Sequence, residues 1–344
     1  MKEKPNITLF NCGEIHGRNM GVGIRKAFNE VLSYRKADRG KRKTATEKRE
    51  IALSFIICTT CKCKGLIASV ESAISQTANT EDYEVIVVIN GDGHADLPHC
   101  VKVIQEEKKG ISFARNCGAE NARGEILLYM DDDAIADKNL VKIMIDTFDR
   151  HRETGVIGGQ ICTVFPENSR EVVLAGKEGL WSNYTVPYKR FRHVKEQYEL
   201  PYGACFAVRH QVFKEVGGFP TDYGRVGDNY AGGEETVLCL KAQKTGWKTG
   251  VQPLAVVEHI IDEKRVTKEH VRQTIRAGIL TSYRLIQDGY LSYSWDERYI
   301  RERIKIAEKE MSGFFRCGEN LKFFYKECER DAFAELLKEI ITDK

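Results

Sequence analysis

Three consecutive aspartates, Asp131, Asp132 and Asp133, are the residues whose types and spacing most directly suggest chemistry. Adjacent carboxylates repel one another, and their pKa values rise unless a cation lies nearby. The arrangement is therefore awkward for stability and useful for holding a hard divalent metal. The alternative is a solvated acidic turn that caps the following helix, because Asp is common at helix starts.

The aspartates follow directly on an apolar run, residues 126–130, which begins with a β-branched isoleucine. This run predicts a buried central strand, so the acids lie at the carboxyl end of that strand. Ligands bind at this edge of an open α/β sheet. The triplet therefore stands where a substrate or metal site is expected.

Strands and helices alternate around this central strand. Apolar runs predict further strands at residues 53–58, 83–89, 101–104, 156–161 and 254–257. Helical spacing of apolar residues predicts helices at residues 66–76, 111–122 and 139–151. This order indicates βαβ units with right-handed parallel crossovers. We expect an α/β fold with a mostly parallel, mixed central sheet.

The last part of the sequence is predicted to be helical. Amphipathic patterns cover residues 271–280, 295–311 and 321–341,. Packing of these helices onto the preceding domain is the default expectation. Pairing with a second subunit, which would give a homo-oligomer, and contact with a membrane surface both stay open.

The overall composition is that of an ordinary globular protein. Of 344 residues, 42% are hydrophobic and 30% are charged, and the net charge of +3 gives no argument for a nucleic-acid partner,. No apolar run approaches the roughly 18 residues of a membrane span, and the first residues lack the apolar core of a signal peptide. Eleven scattered cysteines fit reduced thiols,. We expect a cytoplasmic protein without a transmembrane segment.

Residues 1–50 have a different character from the rest of the sequence. A short strand at residues 7–10, a glycine-containing loop and a helix at residues 24–34 resemble a phosphate-binding loop only loosely,. The charge run at residues 35–43 has almost nothing apolar to bury, so it predicts a linker or a solvated arm,. Binding of this run to an anionic membrane surface or to an acceptor is the alternative.

Seven short segments, taken in order, resemble the successive motifs of family 2 glycosyltransferases with the GT-A fold. They are residues 54–60, 84–91, 110–118, 131–133, 217–219, 232–239 and 256–259. The resemblance implies a GT-A domain at 51–262, with a nucleotide-binding half at 51–135 and an acceptor-binding half at 136–262. A helical extension at 263–344 follows it, and an N-terminal extension at 1–50 precedes it.

The resemblance also implies roles on the donor side. A divalent cation, Mn²⁺ or Mg²⁺, is expected on Asp133 and His259, and an imidazole ligand would favour Mn²⁺. A strand-end histidine that is only hydrogen-bonded is the alternative for His259. Contacts to the nucleotide-sugar donor are expected from Thr59, Asn90, Arg115, Asp131 and Asp132. The cation would stabilise the charge that develops on a diphosphate leaving group.

On the acceptor side, the family places its general base at the position of Glu235, with Glu234 as its neighbour. An inverting transfer needs one carboxylate that takes the acceptor proton. The usual residue is Asp, so Glu235 reaches further by one methylene group. Paired acids at a helix start are explained equally well by the helix dipole, and that reading stays open.

The sequence departs from the family pattern at two places on the donor side. Residues 58–61 read Cys-Thr-Thr-Cys and lack the aromatic residue that can stack on the base. Asn90 stands where relatives carry Asp, and its amide can still pair with a uracil edge, which favours uridine. Cys58, Cys61 and Cys63 have a spacing that also suits zinc, although no partner pair lies nearby in the sequence.

The predicted function is metal-dependent transfer of a sugar from a nucleotide-diphosphate donor, favoured to be UDP, to a saccharide, lipid-linked or peptide acceptor. A nucleotide-sugar-binding module that has lost turnover is the first alternative. Retention of Asp131, Asp133, Glu235 and His259 argues against it. A nucleotidyltransferase is the second alternative, and it does not explain the Gly-Gly-Glu-Glu segment at residues 232–235.

Overall fold

Four parallel strands form the first half of the sheet. The computed structural model describes residues 51–227 and 229–342, so the strand, loop, helix and basic run expected in residues 1–50 lie outside the described residues. The strands are β1 (Leu53–Thr59), β2 (Tyr83–Asn90), β3 (Lys102–Glu106) and β4 (Ile126–Asp131). Strand β1 pairs in parallel with both β2 and β4, and β2 pairs with β3.

Strand β1 is buried on both faces because helices cover both sides of the sheet. Phe55 and Ile57 pack into a cluster that includes α1 (Leu66–Ile74). Ile56, which points to the opposite face, packs into a second cluster that includes α2 (Ile111–Glu120). Side chains alternate across a strand, so a continuous apolar run serves both layers. The βαβ order that the sequence predicts is confirmed.

The second half adds strands of both directions. Its elements are β5 (Ala134–Ala136), α3 (Leu140–Arg150), β6 (Thr154–Val164), β7 (Arg192–His193), β8 (Phe206–Arg209), α4 (His210–Val216), α5 (Glu234–Lys244) and β9 (Lys248–Ile260). In the nine-stranded sheet, the strand order is β3-β2-β1-β4-β8-β6-β9-β5, and β7 also pairs with β9. Strand β8 lies antiparallel between β4 and β6. The predicted α/β fold with a mostly parallel mixed sheet is confirmed.

Three long helices follow the sheet: α6 (Lys268–Gln287), α7 (Glu297–Cys317) and α8 (Asn320–Thr342). Their apolar faces form one cluster with Trp181 and Ile261, which lie next to the end of the sheet. The expected packing onto the preceding domain is therefore confirmed. Throughout the described chain, each helix is too short or too polar to serve as a membrane span.

Candidate active site

Strand pairing brings Asp133 next to His259 at the carboxyl end of the central strand. The short strand β5 pairs antiparallel with β9 and sets Ala134 opposite His259. The Ile260 amide also donates to the carbonyl of Asp133 at 2.9 Å. As a result, His259 Nε2 lies 3.0 Å from Asp133 Oδ1. Residues that are far apart in the sequence thus meet because of one antiparallel register.

A backbone carbonyl fixes the orientation of the His259 ring. The ring is buried, and its Nδ1 donates to the carbonyl of Trp181 at 3.0 Å. This hydrogen bond leaves Nε2 as the nitrogen that faces Asp133, which is the arrangement typical of a metal-binding histidine. Burial opposes ionisation of Asp133, but the neighbouring side chains of His259 and Arg265 lower its pKa.

Asp131 completes a group of three side chains that fits a divalent cation. One ligand atom from each of Asp131, Asp133 and His259 lies within 4.8 Å of the other two. Carboxylate oxygens suit Mg²⁺ and Mn²⁺, and the imidazole is a ligand that Mn²⁺ accepts more readily. The sequence assigned Asp131 to the donor, and the structure brings it together with the two predicted metal ligands.

The three cysteines that suggested zinc do not form a metal site in residues 51–227 and 229–342. In that region, the triad of two aspartates and one histidine is the one group of three potential ligands. Burial raises the pKa of Cys58 to about 12 and that of Cys63 to about 11, so both thiols stay protonated at neutral pH.

Asp132 points away from the metal-binding group, towards the end of β1. Thr59 donates from Oγ1 to Asp132 Oδ2 at 2.6 Å, and it accepts a hydrogen bond from the Cys61 amide at 2.8 Å. Burial raises the pKa of Asp132 to about 7, although the Thr59 hydrogen bond opposes the shift. The structure therefore brings together two of the predicted donor-binding residues.

Arg115 connects the acids of the central strand with the acids of α5. Its Nη1 lies 2.8 Å from Glu234 Oε1 and 2.9 Å from Glu235 Oε1, and its Nη2 lies 3.6 Å from Asp131 Oδ1. Burial of the guanidinium lowers its pKa, but the neighbouring carboxylates outweigh this effect and raise it. A Cβ atom at Gly203 would clash with both Glu235 and Arg115, so this pairing requires glycine there.

The two acids at the start of α5 differ in their surroundings. Glu234 is buried, and its Oε2 has no hydrogen-bond partner among the described residues. Burial and then the nearby charge of Glu235 raise the pKa of Glu234 to about 8. Glu234 is therefore largely protonated at neutral pH, which leaves Arg115 to pair with the charge of Glu235.

The side chain of Asn90 organises the loop that precedes α2. Its Nδ2 donates to the carbonyls of Glu106 at 3.2 Å and Lys108 at 2.7 Å. Its Oδ1 accepts a hydrogen bond from the Gly110 amide at 2.8 Å. Since both polar atoms are engaged with the backbone, a contact of Asn90 with the donor base stays a prediction.

The sequence did not indicate three residues that shape the site: Trp181, Gly203 and Arg265. Arg265 places its Nη1 3.0 Å from Asp133 Oδ2 and 3.3 Å from His259 Nε2. The basic pair Lys264-Arg265, which follows His259 after four residues, is the sequence feature that could have drawn attention to Arg265. Trp181 acts through its backbone carbonyl, and Gly203 acts because it has no side chain. Neither role can be recognised from the residue type in a single sequence.

Parts of this chain are similar to known glycosyltransferases. The profile of glycosyl transferase family 2 matches residues 54–217. The glucosyl-dolichyl phosphate glucuronosyltransferase of Haloferax volcanii is 28% identical over 226 residues, which cover 62% of this chain and 70% of that protein. The polypeptide N-acetylgalactosaminyltransferase 10 of Rattus norvegicus is 22% identical over 75% of this chain. This chain spans less than half, 46%, of the rat protein.

Among solved structures, TarS of S. aureus resembles this chain with a TM-score of 0.46 and 18% sequence identity. The match covers 77% of this chain and 44% of TarS.

Proposed function

Because this chain belongs to glycosyl transferase family 2, we propose that it moves a sugar from a nucleotide-diphosphate donor, with UDP favoured, to an acceptor in the cytoplasm. One observation carries the proposal. Arg115 contacts Asp131 of the metal-binding group and Glu235 of the acid pair, so one guanidinium connects the two groups. In a glycosyltransferase, the groups that bind the donor diphosphate and the base that activates the acceptor must both lie close to the anomeric carbon of the sugar.

The donor side supports metal dependence. Asp131, Asp133 and His259 would hold Mn²⁺ or Mg²⁺, and the bound cation would offset the charge of the diphosphate leaving group,. Thr59 and Asp132 would contact the nucleoside at the end of β1. Arg115 cannot lose its proton at neutral pH, so it supplies a fixed positive charge between donor and base.

The acceptor side supports an inverting transfer. We assign Glu235 as the base that takes the acceptor proton while the acceptor attacks the face opposite the diphosphate. Arg115 holds the Glu235 carboxylate in position through the 2.9 Å contact. Protonated Glu234 has a free carboxyl oxygen with which it can contact Glu235 or the acceptor.

The names of the relatives guide the choice of acceptor. The Haloferax protein is named as a transferase that acts on glucosyl-dolichyl phosphate, which favours a lipid-linked saccharide for this chain. The rat protein is named as a polypeptide transferase, so a peptide acceptor is the second candidate. We therefore place a glycolipid or polysaccharide precursor first.

A screen of nucleotide sugars tests this proposal. A ligand that binds only the folded protein raises its melting temperature. We expect one or a few UDP-sugars to raise the melting temperature in the presence of Mn²⁺ and to have little effect in EDTA. The stabilising donor is then incubated with lipid-linked and peptide acceptors, and products are identified by mass spectrometry. Absence of both metal-dependent stabilisation and transfer with every donor would contradict the proposal.

A further inference from the structure

Arg265 has a backbone that is held in place and a side chain that reaches over the metal-binding group. It ends the 3-10 helix Glu263–Arg265, which is capped by the Asp262 carboxylate. Its carbonyl accepts a hydrogen bond from Trp181 Nε1 at 2.8 Å, and the carbonyl of Trp181 orients His259. Trp181 thus positions both His259 and Arg265.

The guanidinium of Arg265 contacts the same Asp133 and His259 side chains that would bind a metal ion. Its Nη1 is the donor for Asp133 Oδ2 and for His259 Nε2, at 3.0 and 3.3 Å. An imidazole nitrogen has one lone pair, which can accept a hydrogen bond or bind a cation but not both. A divalent cation on these ligands would also be repelled by the guanidinium charge. Metal and guanidinium therefore compete for one position.

We propose that Arg265 is an internal cation which occupies the metal ligands in the free enzyme and turns to the donor diphosphate when the metal binds. The proposal rests on the metal dependence proposed above. It assigns two successive partners to one side chain: first Asp133 with His259, then an anionic phosphate oxygen. Metal binding to the free protein is then weak, and it strengthens when the diphosphate is present to receive the guanidinium.

Two features of Arg265 support a change of partner. Its Nε is buried and has no hydrogen-bond partner in residues 51–227 and 229–342. The guanidinium therefore has an unused N–H donor for a second anion. Its side chain is 22% exposed and can swing about a fixed backbone. Arg115, by contrast, is 5% exposed and contacts three carboxylates, so it has no comparable freedom.

Electron paramagnetic resonance of free Mn²⁺, measured with the full chain, tests the proposal. Arg265→Gln should bind Mn²⁺ about tenfold more tightly than the wild type when UDP is absent, because a nearby positive charge is removed. With saturating Mn²⁺, the same variant should bind UDP about tenfold more weakly, because a phosphate contact is lost. Lys264→Gln removes an equal charge from the exposed neighbouring residue, and it should match the wild type in both titrations.

A second variant keeps the proposal testable if Arg265→Gln does not fold. Arg265→Lys retains the charge but loses the planar fork, so its Mn²⁺ affinity without UDP should rise about threefold. Equal Mn²⁺ affinity of the wild type and of the folded Arg265 variants would overturn this inference, while Mn²⁺-dependent UDP binding by the wild type would leave the proposed function standing. Absence of Mn²⁺ binding in every protein, even with UDP, would overturn both.

Discussion

Arg115 Nη1 lies 2.9 Å from Glu235 Oε1, so a buried guanidinium holds the carboxylate that we assign as the base. The same nitrogen contacts Glu234 at 2.8 Å, but Glu234 is the acid whose pKa is raised. Arg115 also lies over the ring of Phe219, with 5.3 Å from its guanidinium carbon to the ring centroid. One cation therefore has two acidic neighbours in different surroundings.

The first prediction concerns these two acids. Glu235→Gln should reduce transfer to an alcohol acceptor by about 10²- to 10⁴-fold and leave donor affinity almost unchanged, because the base contacts the acceptor. Glu234→Gln should cost less, since glutamine resembles the protonated form of the acid that it replaces. Steady-state kinetics with separate calorimetry of the donor measures both effects.

Either of two results would reassign this pair. A larger loss in Glu234→Gln than in Glu235→Gln would move the base one residue earlier. Full transfer by both variants would show that neither acid is the base, and the two acids would then only stabilise the start of the helix through its dipole. The assay should use an alcohol acceptor, because a thiol ionises more readily and depends less on a base.

The second prediction concerns the pH dependence of stability. The folded protein binds the Glu234 proton more tightly than the unfolded chain, because the pKa rises from 4.5 to about 8. The wild type should therefore lose stability relative to Glu234→Gln as the pH rises from 4.5 through about 8, with a slope of up to about 1.4 kcal/mol per pH unit,.

Urea unfolding of both proteins between these pH values gives the difference in the free energy of unfolding. The difference should grow with pH and level off above the folded pKa of Glu234. A difference that is independent of pH would show that Glu234 has an ordinary pKa.

The third prediction concerns metal preference. His259→Ala should weaken Mn²⁺ binding by about 100-fold or more and remove most of the preference for Mn²⁺ over Mg²⁺, because the remaining carboxylates suit both ions. His193→Ala on the edge strand β7 serves as the control. UDP titrations with each metal provide the measurement. An unchanged preference in His259→Ala would exclude the imidazole as a ligand.

The first half of the sheet was predictable from sequence because its signals are local. Continuous apolar runs give β1, β2 and β4, and the acids at the end of β4 mark the ligand edge without any long-range information,. The helix that begins at Glu234 was also predictable from its apolar spacing. These elements carry most of the predicted donor and base residues.

The remaining features depend on pairings between distant segments. The three-residue strand β5 was not predicted, because so short a segment has no periodicity, yet its pairing with β9 places Asp133 beside His259,. The position of β8 between β4 and β6 also depends on contacts between distant segments, so it could not be predicted from local sequence. The contact of Arg265 with Asp133 joins residues that are 132 positions apart in the sequence, and no local pattern indicates it.

The fourth prediction tests the packing of the C-terminal helices. Phe333 of α8 is 1% exposed and lies in the cluster that contains Trp181, so Phe333→Ala should reduce the free energy of unfolding by about 3–5 kcal/mol,. Phe315 on α7 is 74% exposed, and Phe315→Ala should change the free energy by less than about 0.5 kcal/mol,. Urea unfolding compares the two variants. Equally small effects would contradict the packing of α8 onto the domain.

Isothermal titration calorimetry of UDP with and without Mn²⁺ tests the proposed metal-dependent donor site most directly. The wild type should bind UDP at least about 100-fold more tightly with Mn²⁺, because the cation compensates the diphosphate charge. Asp133→Ala should lose this dependence, while Asp146→Ala on the exposed face of α3 should retain it. Equal affinity of the wild type for UDP with and without Mn²⁺ would contradict the account.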